Sequence, residues 1–268
     1  MIKKSFLWIA LLAVPVMAAA PLKLLFSKGE TLRYKVDITS TETTSLKGDT
    51  AELKMSGSHV MTMKVSSVAN GLATMSVSYS NATASATAVS LPTEVKKDKA
   101  KIEAAAAKTL KSALSTGARS QKVKSNGSAT YTMKAGEGQS LTIEGGAFMM
   151  LVLPTSEPVL NKPWAANIRQ PMPGSPALPV KFKWVGNVTV GGRQLKKIVI
   201  SMSQSKSDKQ GEISLSMSES ANGFVLFDSG RGKVMSGEIE RAVKQTVKHE
   251  KEGTRVQEQS STQKFTKF

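Results

Sequence analysis

A mainly β protein is predicted, with long antiparallel strands in an open or half-closed barrel and one amphipathic helix. Three observations carry the prediction. Apolar and polar residues alternate over long stretches, Asn-Gly pairs punctuate those stretches, and a single Ala- and Lys-rich segment switches to helical spacing. Period two marks a strand with one buried and one wet face, and spacing of three to four marks a helix face.

The elements follow in chain order. Lys3 and Lys4, the apolar run from Phe6 to Met17 and the small residues Ala18 to Ala20 have the order of a secretory signal peptide. Residues 1–18 are therefore expected to be an export signal. The run of about twelve apolar residues falls short of the roughly twenty that span a bilayer. Residues 19–252 are expected to form a single β-rich domain, placed outside the cytoplasm (periplasmic or secreted) and built without disulfides, since the chain has no cysteine.

Leu32–Thr41 reads as the first strand. In the next, Leu53, Met55, Gly57, His59, Met61, Met63 and Val65 alternate with mostly polar neighbours, and Ala73, Met75, Val77 and Tyr79 resume the pattern after Asn70-Gly71. A two-residue turn there would set buried side chains opposite wet ones. A three-residue loop, Ala69-Asn70-Gly71, instead pairs Val65 with Met75, Met63 with Val77 and Met61 with Tyr79. The same arithmetic at Ser125-Asn126-Gly127 sets Val123 against Ala129 and Gln121 against Tyr131. At Ala221-Asn222-Gly223 it sets Met217 against Phe227. Further strands are expected at Val180–Val190, Gln194–Gln204 and Lys233–Lys248.

Between the first and second hairpins, Thr93–Thr116 has Ile102, Ala106, Leu110, Ala113 and Leu114 at helical spacing, with Thr93 as the expected N-cap and Gly117 as the stop. Seven of the ten prolines fall in Pro154–Pro179, which excludes a central strand and predicts a linker or long loop pinned by Trp164 and Ile168. Residues 253–268 read as a polar, fraying tail. Phe268 is similar to the aromatic that ends outer-membrane barrel strands, but Lys264, Thr266 and Lys267 and the lack of aromatic girdles argue against such a barrel.

Several segments taken in order are similar to a group of exported, β-rich bacterial proteins classed as a domain of unknown function. Lys28-Gly29-Glu30-Thr31-Leu32-Arg33-Tyr34 resembles their opening strand, and Val65 to Val77 their second hairpin. Leu151-Val152-Leu153-Pro154 with Pro158-Val159 and Trp164, Val185-Gly186 with Val190-Gly191-Gly192-Arg193, and Gly223 to Asp228 with Gly230 resemble later segments. Asn161-Lys162-Pro163-Trp164 departs from the group at one turn, and the Lys-rich helix is an elaboration. The resemblance implies an exported β fold and no particular activity. In size and strand content the chain also resembles, at the level of fold alone, the periplasmic lipoprotein carriers, half-open barrels around an apolar cavity.

Catalytic chemistry finds little purchase. There are two histidines, and His59 sits in an apolar register where it reads as a packed or rim residue. Cysteine is absent and no histidine pair has ligand spacing, which argues against a metal centre. No nucleophile elbow or phosphate loop is present, and no cofactor is expected. Asp228 reads as a turn former. The expectation is a non-enzymatic binding or carrier protein of the envelope, with a structural scaffold lacking a ligand cavity as the alternative and an enzyme as the least favoured. Met61, Met63, Met75 and Trp164 are the candidate ligand-lining residues, because flexible thioethers suit varied apolar ligands. The formal charge of +17 gathers in two lysine-rich stretches, making Lys96, Lys97, Lys101, Lys196 and Lys197 candidates for contact with anionic lipid or a cell-envelope polymer. Nucleic acid is not expected, since no aromatics stand beside the lysine runs.

Overall fold

Strand pairing in a computed structural model joins the described strands into one twelve-stranded antiparallel sheet. The structure describes residues 21–115, 119–134, 140–146, 151–169, 177–249 and 253–268. The expected export signal and the helix stop at Gly117 lie outside the described residues.

The strands are β1 (Thr31–Leu46), β2 (Asp49–Ala69), β3 (Leu72–Ser90), β4 (Arg119–Lys124), β5 (Ser128–Lys134), β6 (Ser140–Gly146), β7 (Pro163–Arg169), β8 (Ala177–Val190), β9 (Arg193–Gln210), β10 (Ile213–Asp228), β11 (Lys233–His249) and β12 (Gly253–Lys267). Each strand pairs with its sequence neighbour, and β1 pairs with β12, which is the circular order of an up-and-down barrel. The circle opens at one seam: β6 and β7 run near each other, but no ladder joins them among the described residues. The sheet is thus open or half-closed.

Turn chemistry sets the register. Lys47 and Gly48 both have positive φ between β1 and β2, as do Asn70 and Gly71 between β2 and β3. Two such residues make the primed turn whose twist matches its flanking strands. The tip at Asn70-Gly71 therefore has two residues, with Ala69 opposite Leu72, and the expected three-residue loop is corrected. The expected pairs Val65–Met75, Met63–Val77 and Met61–Tyr79 nonetheless form. A bulge between Val65 and Ser67 absorbs the odd residue, and the Ser66 hydroxyl donates to the Thr74 carbonyl at 3.0 Å. At Ser125-Asn126-Gly127 both the three-residue loop and its pairing match expectation. Gly127 has φ +88°, and the Asn126 carbonyl oxygen Oδ1 accepts from the Ser128 amide at 3.1 Å.

Asn222-Gly223 is different: β10 runs straight through it, and the expected pair of Met217 with Phe227 does not form. The turn before β10 lies at Gly211. A side chain at Gly223 would collide with the Glu238–Ile239 backbone of β11, so glycine serves a close approach here and not a turn. Asp228 does form a turn, its Oδ1 accepting from the Arg231 amide at 3.0 Å.

Two further corrections concern the loop and the tail. Inside the Pro-rich stretch, β7 forms as an edge strand with Pro163 as its first residue, a position that demands no missing donor. The expected fraying tail is β12, held between β1 and β11 at the centre of the sheet. Its polar composition hides it: only Phe265, near its end, enters the core, and the rest lies in the hydroxyl-rich part of the sheet. The helix forms as a 3-10 turn, Thr93–Asp98, followed by α1 (Lys99–Leu114). Thr93 lies inside the turn and caps nothing, since Pro92 precedes it. Leu110 and Leu114 of α1 pack over Gly57, and the Glu103 carboxylate accepts from the Ala88 amide at 2.8 Å.

One core occupies one end of the curl. Leu32, Tyr34 and Val36 meet Phe182, Ile198, Val225, Phe227, Val234 and Phe265 from the far half of the sheet, and the Tyr34 hydroxyl donates to the Val234 carbonyl at 3.0 Å. Burial pushes that phenol above its ordinary range. The segment Leu22–Leu25 closes this end. The Leu24 amide bonds the Ser125 carbonyl at 2.6 Å and the Leu25 amide the Gly232 carbonyl at 3.0 Å, tying a turn from each half together. Leu151 and Leu153 fill in beside it. Each such buried side chain contributes about 1.5–3 kcal/mol.

Candidate functional site

The inner face of β2, β3 and β4 brings the predicted methionines together. Met61 lies opposite Tyr79, Met63 opposite Val77, and Met75 between Val65 and Gln121. Met63 and Met75 are only 2% and 1% exposed, and Met61 is partly buried against the same cluster. Trp164 comes to the core from the other half: its ring stacks on Phe182 at 5.7 Å, and its Nε1 donates to the Val152 carbonyl at 2.8 Å.

Polar groups share the methionine face. A bulge in which Asn81 takes φ +55° rephases β3 opposite His59, so that Tyr79, Val77 and Met75 face inward beyond it. The His59 ring meets the Tyr79 ring edge-on at 5.3 Å, and the Arg119 guanidinium lies 5.3 Å from the same ring. Arg119 and Gln121 stand two residues apart on the inner side of β4, opposite Val77 and Met75. Among the described residues, His59 Nδ1, Arg119 Nε and Gln121 Nε2 are buried without a hydrogen-bond partner. Burial lowers the His59 pKa, with Asp37 opposing the shift, and raises that of Tyr79, with Arg119 opposing.

Sequence reasoning found His59 in its apolar register but passed over Arg119 and Gln121. The signal was available: both occupy alternate positions leading to Val123, and Val123 is fully buried. Polar residues in a core register are what a polar internal site leaves behind.

The predicted lysines fall into two separate groups. Lys96 and Lys97 lie on the 3-10 turn and Lys101 on α1, all exposed, with Lys101 3.2 Å from Asp98. Lys196 and Lys197 lie on β9 and rest their ammonium groups over the rings of Trp184, at 3.4 Å, and Phe224, at 4.7 Å. Burial lowers the Lys196 pKa, with Glu157 opposing. The α1 group sits against β3 and the other group on β9, so the two belong to opposite halves of the sheet.

A second concavity lies on the opposite face. Beyond the core, the sheet bends so that residues of the outer register line two adjoining troughs of about 550 and 510 Å³. Thr39, Thr41, Ser56, Ser85, Ser220 and Thr262 line the first, and Thr43, Ser203 and Ser218 the second. Some hydroxyls are satisfied in pairs across strands, as in Ser56–Ser85 at 2.8 Å and Ser58–Thr83 at 2.9 Å. Lys244 and Glu258 neutralise one another at 2.6 Å in the second trough.

Among the described residues no group of three or more His, Cys, Asp or Glu side chains could hold a metal ion, and no helix is long and apolar enough to cross a membrane. No family model and no curated protein matches the chain. Among solved structures, the chain is similar to lipovitellin, in a study of its lipid–protein interactions, at 12% identity and TM-score 0.44; the match covers 91% of this chain and 25% of that one, so the chain spans about a quarter of that relative. It is similar to an outer membrane channel from Pseudomonas putida F1 at 9% identity and TM-score 0.29, over 91% of this chain and 97% of that one. It is similar to the β domain of the Bordetella autotransporter BrkA at 7% identity and TM-score 0.26, over 86% and 98% of the two chains. Scores this low carry no argument about fold or role.

Proposed function

We propose that the chain is an exported, non-enzymatic envelope protein that binds a lipid-like ligand on the inner face of its curled sheet. The observation that supports this most is a barrel order opened at one seam around a continuous apolar face, to which β1 through β5 and β7 through β12 all contribute. An up-and-down barrel left open offers its interior to an apolar guest at the unladdered edge, as closed barrels with small ligands do at the mouth. The order of residues 1–20 supports export, and the scarcity of histidine and clustered carboxylates supports binding over catalysis. The resemblance to exported proteins of unknown function is compatible with this reading and adds no ligand.

The test is to purify the full chain from a bacterial envelope, extract it with organic solvent and identify what comes off by mass spectrometry. A stoichiometric amphiphile is the expected result. A bare protein that also refuses a panel of added fatty acids and phospholipids would sink the reading. The hydroxyl-lined troughs favour a second reading, contact with a polar cell-envelope polymer along the outer face. Co-sedimentation with insoluble envelope polymer that survives lipid removal would select it.

A further inference from the structure

We infer that Arg119 and Gln121 form a recognition site for the oxyanion head of an amphiphile, held at the inner face of β3–β4. The inference rests on the lipid-binding reading and names the chemistry of the ligand.

The argument is one of unmet hydrogen bonds. Two polar nitrogens on the inner side of β4, Arg119 Nε and Gln121 Nε2, are buried with no partner among the described residues, while native interiors satisfy the great majority of such atoms. Both are obligate donors. A site made of donors, one of them on a permanent cation, calls for an acceptor carrying negative charge. Among the described residues Arg119 enters no ion pair; its guanidinium lies against the Tyr79 ring and hydrogen-bonds the Tyr79 side chain. A water molecule would satisfy an amide but would leave the guanidinium charge without a counter-charge.

The surroundings supply the rest of the ligand. Gln121 is 3% exposed whereas Arg119 is half-buried, so the site grades from a wet mouth at Arg119 to a dry interior. Met61, Met63, Met75 and Val77 flank it. A charged head beside deformable thioethers matches a chain with one oxyanion and one apolar tail. Two sources present the same head chemistry, an acyl carboxylate and an organic phosphate, and free inorganic anions present it without the tail.

The test compares binding of oleate, methyl oleate, an oleoyl phosphate monoester and inorganic phosphate to the delipidated full chain by calorimetry at neutral pH. The anionic lipids are expected to bind at least about tenfold more tightly than the methyl ester, the worth of one charged hydrogen bond. Arg119→Gln is expected to remove that preference, with a far-ultraviolet circular dichroism spectrum matching that of the native chain to report that the variant is folded. Gln121→Glu places a carboxylate of the protein's own beside Arg119. It is expected to raise the melting temperature and to abolish selection of anions, whereas the exposed change Lys101→Gln leaves selection intact.

Equal binding of acid and ester by the native chain overturns the oxyanion site and leaves the lipid-binding reading standing. Binding of none of the lipids overturns both. Inorganic phosphate competing as well as the lipids do overturns the amphiphile as the source. Arg119→Gln retaining the full anion preference overturns the assignment of residues.

Discussion

The two ends of the same strands live in different worlds. At one end the inner register of β1 presents Leu32, Tyr34 and Val36 to a dry core, all within 1% of full burial, and toward the other end the same register passes to the partly exposed Ser40, Glu42 and Thr44. β2 and β10 divide in the same way, from Met63 and Val65 to the partly exposed Met55 and Leu53, and from Val225 and Phe227 to the partly exposed Met217 and the exposed Leu215. The strands nevertheless continue unbroken. At the packed end burial holds them; at the open end ladder hydrogen bonds and cross-strand pairs must suffice, each pair contributing about 0.2–1 kcal/mol. Pairing alone can extend a sheet that burial has begun, and the open end should be the first part to yield.

That contrast is open to measurement. The largest expected effect is at the packed end: Phe227→Ala should lower stability by about 3–5 kcal/mol in chemical denaturation. A loss under 1 kcal/mol would mean the core does not hold the sheet. A matched pair sharpens the point. Met75→Ala should cost about 2–5 kcal/mol, while Met217→Ala, half-buried in the open part, should cost about 1 kcal/mol or less. Equal losses would erase the distinction between the ends.

Acidification should act through His59. Its folded pKa lies below its ordinary value of 6.5, chiefly because burial disfavours the charged ring. Below that value the unfolded chain takes up a proton that the folded chain refuses, so stability is complete above about pH 6.5 and falls as pH drops through the folded pKa. His59→Phe should flatten the difference in melting temperature between pH 7 and pH 5; an unchanged slope would place the acid sensitivity elsewhere. The smallest effect belongs to the troughs. Thr41→Ala should change stability by no more than about 0.5 kcal/mol, yet amides near it should exchange with deuterium well before those of Val225 and Phe227.

The same division explains what was legible in the sequence. Where one face is buried, alternation and turn arithmetic find strand and register together, as at Met63–Val77 and Val123–Ala129. Along most of Gly253–Lys267 neither face is buried and only Phe265 enters the core, so little apolar marks the strand and it reads as a tail although it lies at the centre of the sheet. Asn222-Gly223 misleads for another reason. A glycine required by a close neighbour looks the same in one dimension as a glycine required by a turn, and only the backbone of Glu238 tells them apart. The methionine half of the candidate site was visible because it follows the core pattern. Arg119 and Gln121 were not, since a polar residue in an alternating segment reads as evidence for the wet face until its neighbours are placed.

The ladder from Tyr34–Lys267 to Leu46–Arg255 has a consequence for how the molecule is made. A chain emerging with its N-terminal side first can complete the β1–β2 and β2–β3 hairpins early, but the outer edge of β1 keeps its backbone donors and acceptors bare until residues 253–267 arrive. Pairings so distant in sequence form slowly, and a long bare edge invites pairing with other copies. The last strand to appear is therefore the one that makes the molecule safe in company.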